Sequence, residues 1–290
     1  MPNDPTRRVR TCSLWSPIAR ALALVGAASL LSACVSTGPI SRAESDLIAG
    51  HTYVVVGASS GFGRGVAEEL GAHRANVVLA ARRGDLLDEV AARARQGGGQ
   101  AVVVTADISR PEDVERVARE AVARFGTIDA WVNVAGVGAI GRFWDIPVAD
   151  QARTVDVNLK GVIYGSYAAL RQFRAQGHGV LVNLGSTESE VPLAYHASYA
   201  STKAAILALD RALNEELRLN GAPQIKVATI MPWAVDTPFW THAGNYSGGT
   251  PRMAMMDDPR KVVNAIVRAS LRPREEVPVG WKAQGAVWAH

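Results

Sequence analysis

Cysteine is nearly absent from this sequence. The 290 residues hold two, Cys12 and Cys34, both within the first 34 positions. The rest of the chain therefore has no disulfide framework and no cysteine-bearing metal site. Histidine is sparse as well: His51, His73, His178, His196, His242 and His290 show no ligand spacing, which argues against metal catalysis. There is no internal repeat, no low-complexity tract, and no basic stripe interleaved with aromatics, so nucleic acid is not an expected partner. The pI of 9.3 does not alter this. Arg7, Arg8, Arg10 and Arg20 against Asp4 place +3 of the formal +4 before residue 34, leaving +1 for the remainder. With 48% hydrophobic and 20% charged residues the chain is not disordered and can bury a sizeable core, as one large domain or two small ones.

The leading segment also lacks a run long enough to span a bilayer. Its basic start precedes an uncharged stretch, 21–31, of the length of a signal h-region. Leu31-Ser32-Ala33-Cys34 then resembles a bacterial lipobox, with Cys34 as the lipidation site. Residues 1–34 are read as this leader and 35–50 as a tether, which predicts a lipid-anchored protein of the bacterial cell envelope. The competing reading is a short Ala/Leu helix or uncleaved anchor with an incidental cysteine, or a biological start after Met1; the protein is then cytoplasmic. Thr6-Arg7-Arg8 faintly resembles a twin-arginine export signal, although Arg10 stands where an apolar residue is usual.

From residue 52 short apolar, β-branched runs alternate with helical patterns. Segments 53–56, 77–80, 101–105, 130–134, 180–184 and 225–230 read as strands, with an edge strand at 277–280. Segments 66–70, 86–95 and 111–125 between them read as helix, the last with Pro111 in its first turn and Ser109 as a cap. Alternating strands and helices predict right-handed crossovers and a mostly parallel sheet of about seven strands, covered on both faces. This is a single doubly wound α/β domain over 51–290.

The first strand runs into Gly57-Ala58-Ser59-Ser60-Gly61-Phe62-Gly63 and a helix. Glycines there let the backbone turn tightly and approach a pyrophosphate, whose charge the helix N-terminus meets. The second strand ends in Ala81-Arg82-Arg83, with no acid before Asp85 to take ribose hydroxyls. Arg82 suits a 2′-phosphate, so NADP(H) is expected over NAD. Asp107, closing the third strand, either fixes the adenine region or caps the segment after it.

Tyr199 and Lys203 stand four residues apart on one helical face, thirteen and more residues after Ser186. A neighbouring ammonium favours the phenolate, and Ser186 at a strand end is placed to hydrogen-bond a reacting oxygen. Glycine loop, Asn133-Val134-Ala135-Gly136, Asn158, Ser186 and Tyr199-Ala200-Ser201-Thr202-Lys203 occur in one order. Over about residues 52–280 this resembles the short-chain dehydrogenase/reductase family in its single-domain, Rossmann-type form.

The resemblance implies a tetrad. Tyr199 is the acid/base and Ser186 positions the oxygen. Lys203 lowers the tyrosine pKa and binds the nicotinamide ribose, and Asn158 holds a water in a proton relay. It further implies that Asn133, Ala135 and Gly136 line the cofactor, with Pro232 and Thr237 beside the nicotinamide carboxamide and phosphates. Val56, Val134 and Trp233 depart from the usual Thr, Asn and Gly, and the chain ends too soon after the last strand for the substrate-capping tail of some relatives.

Segment 238–256, carrying Phe239, Trp240, Tyr246, Met253, Met255 and Met256, reads as a mobile lid. With Val191-Pro192-Leu193-Ala194-Tyr195 it favours a mainly apolar carbonyl or alcohol substrate; equally, it simply packs on the domain. Glu188, Glu190 and His196 receive no role. The expected activity is NADP(H)-dependent interconversion of carbonyl and hydroxyl, the alternative a membrane-tethered nucleotide-binding scaffold without turnover. The resemblance also implies a homodimer or homotetramer, paired through helices at about 150–176 and 197–219.

Overall fold

The structure, a computed structural model, describes residues 37–250 and 255–289. The leader, with the lipidation motif at Cys34, lies outside the described residues. Among those described, no helix is long and apolar enough to cross a membrane.

Seven strands form one parallel sheet: β1 (Thr52–Val56), β2 (Asn76–Ala81), β3 (Gln100–Thr105), β4 (Ala130–Asn133), β6 (Gly179–Leu184), β7 (Ile225–Pro232) and β9 (Glu276–Val279). Their spatial order is β3-β2-β1-β4-β6-β7-β9. All pairings are parallel, for example Val55 beside Leu79 on one side and Val132 on the other. The β1 run is buried at every residue because helices cover both faces, as its continuous apolar character requires. Order reverses between β1 and β4, and the carboxyl ends of these strands open a crevice there.

Helices α2 (Gly61–Ala72), α3 (Gly84–Gln96) and α4 (Pro111–Phe125) follow the first three strands. Pro111 sits in the first turn of α4, as its fixed φ suits, but the expected Ser109 cap is absent. Ser109 instead donates from N and Oγ to Asp107 Oδ1. The helix before β6 begins as α5 (Val148–Val155), passes through one π turn at Asp156–Lys160, and continues as α6 (Gly161–Gln176). The long helix α7 (Ala197–Leu219) carries Tyr199 and Lys203.

The segment expected to act as a tether is, from Thr37 onward, bound to the domain. Ser41 and Glu44 form a reciprocal capping box that starts α1 (Arg42–Ile48). Arg268, on a helix at Pro259–Leu271, pairs with Glu44 at 2.8 Å and donates to the carbonyls of Gly38 and Pro39. Burial alone would raise the Glu44 pKa, but hydrogen bonds from Arg268 and Ser41 hold it down to about 2. A polar composition read as linker is thus consumed by side-chain to backbone bonds.

The first part of the expected lid, 239–246, is likewise tied down. A short helix, α8 (Phe239–His242), leads into β8 (Gly244–Asn245), which pairs in parallel with β5 (Ala139–Ile140). Tyr246 N donates to the Ile140 carbonyl, and its hydroxyl donates to Asp150. The helix at Pro259–Leu271 is then α9, and the chain closes with α10 (Gly280–Trp288) after β9. Ala286 of α10 lines the crevice.

Candidate active site

The crevice is a cleft of about 370 Å³ at the reversal point. Its floor is set by backbone proximity. Gly57 has φ +97, and a Cβ there would lie 2.6 Å from Ala135 N. A Cβ on Gly63 would lie 2.2 Å from the Gly57 carbonyl. Only glycine permits this turn and this approach of α2 to the loop after β4. Gly57, Ser59, Ser60, Gly61 and Phe62 line the cleft, whereas Gly63 acts beneath it by packing.

The α2 N-terminus has no side-chain cap, so its backbone N–H groups face the cleft unpaired by side chains. Arg82 lines the cleft and is exposed. Arg83, which sequence reasoning left beside Arg82 without a role, donates to Ser59 Oγ at 3.0 Å and Ser60 Oγ at 2.8 Å. Two guanidinium groups and an open helix terminus thus converge where the phosphates of a dinucleotide would sit. Asp107, Ala135, Gly136, Pro232 and Thr237 also line the cleft, and the residues present fit such a cofactor.

Asn133 is displaced from its expected place. Its side chain is 3% exposed and turned into the core. There it accepts from Trp131 Nε1 at 2.8 Å and donates to Asn183 Oδ1 at 2.9 Å. Asn183 donates on to Asp210 Oδ1, whose other oxygen accepts from Thr229. Burial pushes the Asp210 carboxyl up to about 7, against the two hydrogen bonds. Asn133 therefore anchors a polar chain across the sheet, because strand alternation directs it away from the cleft.

Asn158 is fully buried on the π turn, a local widening typical of functional sites. Its Oδ1 accepts from Val137 N at 2.8 Å, and its Nδ2 donates to the Val137 carbonyl and to Thr202 Oγ1. The side chain braces the loop after β4 against α7 and does not wall the cleft.

Ser186, Tyr199 and Lys203 meet in the cleft. Ser186 Oγ accepts from Glu188 N at 3.1 Å, so its own proton is available to donate, here toward Tyr199. Lys203, 2% exposed, donates from Nζ to the Leu184 carbonyl at 2.6 Å, and Nζ lies 5.5 Å from the Tyr199 ring centroid. Burial brings the Lys203 ammonium down to about 8, opposed by the charge of Glu188. Burial and Glu188 push the Tyr199 phenol well above its ordinary range, against a hydrogen bond from Ser186. The lowering expected from Lys203 is thus outweighed by burial and by Glu188.

Over the tyrosine lies an aromatic wall. Phe239 packs 5.5 Å and His196 5.7 Å from its ring centroid, with Trp240 stacked 6.1 Å from His196. Met255 is exposed and lies away from the cleft, and Met253 falls outside the described residues. Glu188, His196 and Arg83 were not readable as site residues, because no spacing in the sequence ties them to the tetrad.

Residues 51–246 match the family described as short chain dehydrogenase. Over 234 residues the chain is 35% identical to the uncharacterized oxidoreductase YxnA of Bacillus subtilis, a match spanning 80% of this chain and 65% of that protein. It is 33% identical to an uncharacterized oxidoreductase of Staphylococcus haemolyticus, over 77% of this chain and 92% of the relative. Among solved structures it is similar to an alcohol dehydrogenase from the archaeon Thermococcus sibiricus complexed with 5-hydroxy-NADP. That likeness has 30% identity and a TM-score of 0.67, and covers 79% of this chain and 93% of the other. With its seven-stranded parallel sheet and this match across most of its length, the chain belongs to the short-chain dehydrogenase family, enzymes that use NAD(P).

Proposed function

We propose that the protein is an NADP(H)-dependent oxidoreductase that interconverts a carbonyl and a hydroxyl group on a small molecule, with Tyr199 as general acid/base. The observation that carries this reading is the meeting of Ser186, Tyr199 and Lys203 in one cleft with the uncapped α2 terminus and its arginines.

Arg82 and Arg83 would hold the 2′-phosphate, the α2 N–H groups the pyrophosphate, and Lys203 the nicotinamide ribose. When bound, the reduced nicotinamide supplies a hydride. Ser186, its Oγ already accepting from Glu188 N, donates to the substrate oxygen and fixes it beside Tyr199. Tyr199, which holds its proton across the neutral range, gives it to that oxygen as the alcohol forms. The aromatic wall of Phe239, Trp240 and His196 excludes water. The 5-hydroxy-NADP in the Thermococcus enzyme's complex accords with two arginines at the end of β2.

A test is NADPH consumption over a panel of ketones, quinones and steroids, each repeated with NADH. Turnover with at least one carbonyl class, and preference for NADPH, is expected. No consumption of either nucleotide with any class would overturn the reading.

A further inference from the structure

Two side-chain atoms among the described residues are buried with no hydrogen-bond partner, Glu188 Oε2 and the indole Nε1 of Trp233. Both residues line the cleft. An unpartnered carboxylate oxygen is costly to bury, and native structures rarely retain one without a use for it. Glu188 is not loosely placed. Its Oε1 lies 3.0 Å from His196 Nδ1, and both residues are 7% exposed. His196 is in turn fixed by its stack on Trp240 and its edge contact with Tyr199. The dyad so pins one carboxylate oxygen and leaves the other a buried acceptor without a partner, on a residue that lines the cleft with the catalytic tyrosine. The cleft is also lined by the apolar and aromatic side chains of Val191, Leu193 and Phe239.

Building on the reductase reading, we propose that Glu188, positioned by His196, is a substrate-binding residue whose free oxygen accepts a hydrogen bond from a hydroxyl beside the reacting carbon. The substrates are then hydroxyketones and the matching vicinal diols, carrying an apolar remainder, rather than plain ketones. A site built to accept a hydrogen bond rejects the analogue lacking the donor, because its own polar atom stays unpaired. Sequence reasoning expected a mainly apolar substrate, and the dyad adds one polar requirement to it.

The test is calorimetric titration of NADPH-saturated protein with 1-phenylethane-1,2-diol and with 1-phenylethanol. The reduced cofactor cannot accept hydride, so binding is read without turnover. The diol is expected to bind about ten-fold tighter or better, the worth of a hydrogen bond to a charged group. Glu188→Leu should bring the two affinities together, with NADPH binding retained. His196→Phe, which keeps the ring stack but frees the carboxylate, should erase most of the advantage. If Glu188→Leu fails to fold, the isosteric Glu188→Gln decides, and the neutral acceptor should cut the advantage several-fold. Equal binding in the wild type, no binding of the diol, or an undiminished advantage in the folded Glu188 variants would overturn the proposal. Tyr199→Phe should keep the diol preference. If the wild type shows the preference but does not reduce 2-hydroxyacetophenone with NADPH, the catalytic reading falls and the binding site remains.

Discussion

Lys203 directs its ammonium at the Leu184 carbonyl, 2.6 Å away, while its Nζ stands 5.5 Å from the ring centroid of Tyr199. The i, i+4 spacing puts both side chains on one face of α7, but the last carbonyl of β6 competes for the charge. Burial and the charge of Glu188 keep Tyr199 a protonated phenol at neutral pH, the form that carbonyl reduction needs.

Glu188 adds to this. Its negative charge raises both Tyr199 and Lys203. Neutralising it lowers both, so Glu188→Gln should move the acid limb of the pH profile for alcohol oxidation to lower pH. Initial rates of NADP⁺ reduction across pH check this. A limb that stays in place, or moves upward, is the contrary result.

Arg82 and Arg83 follow the end of β2 and line the cleft, Arg83 donating to Ser59 and Ser60. Replacing both by alanine should raise KM for NADPH by about ten-fold or more while leaving KM for NADH nearly unchanged, since charge-assisted hydrogen bonds are worth about 1.5–3 kcal/mol. Steady-state kinetics with the two nucleotides decide it. Equal losses for both would place the arginines on the fold rather than on the phosphate.

Asp210 holds its proton up to about 7 in the folded protein against an ordinary value of 3.8. The folded state thus binds more protons than the unfolded chain between these values, and this contribution to stability, full below pH 3.8, is lost as pH rises through 7. Asp210→Asn should flatten the fall in stability over that window. Urea midpoints at pH 5 and pH 8 measure it, and an unchanged difference between them would contradict it.

Asn158→Ala leaves the Val137 N–H and carbonyl without their partner. A loss of about 1–3 kcal/mol is expected for each unsatisfied buried group, and the urea midpoint should fall accordingly. An unaltered midpoint would show that the brace carries no weight.

The strands and the catalytic spacing were legible because they rest on local regularities. Continuous β-branched runs mark buried parallel strands, and Tyr199 and Lys203 share a helix face whatever surrounds them. What stayed hidden depends on neighbours distant in sequence. β5 and β8 have two residues each and exist only by pairing with one another. Asn133 belongs to the core because Trp131, Asn183 and Asp210 complete its hydrogen bonds there. Residues 37–48 are polar enough to read as a tether, but Asn264 and Arg268, more than 200 positions later, take up their carbonyls. Glu188 became visible only through the oxygen that nothing pairs.

In the proposed mechanism Tyr199 transfers the proton that accompanies hydride reduction. Single-turnover oxidation of bound NADPH by a carbonyl substrate from the panel probes that step, in the wild type and in Tyr199→Phe, with NADPH affinity determined in parallel. NADPH binding should be unchanged, and the rate constant should be lower by about 10²–10⁴-fold in the variant. A Tyr199→Phe enzyme that turns over at the wild-type rate would remove Tyr199 from the chemistry.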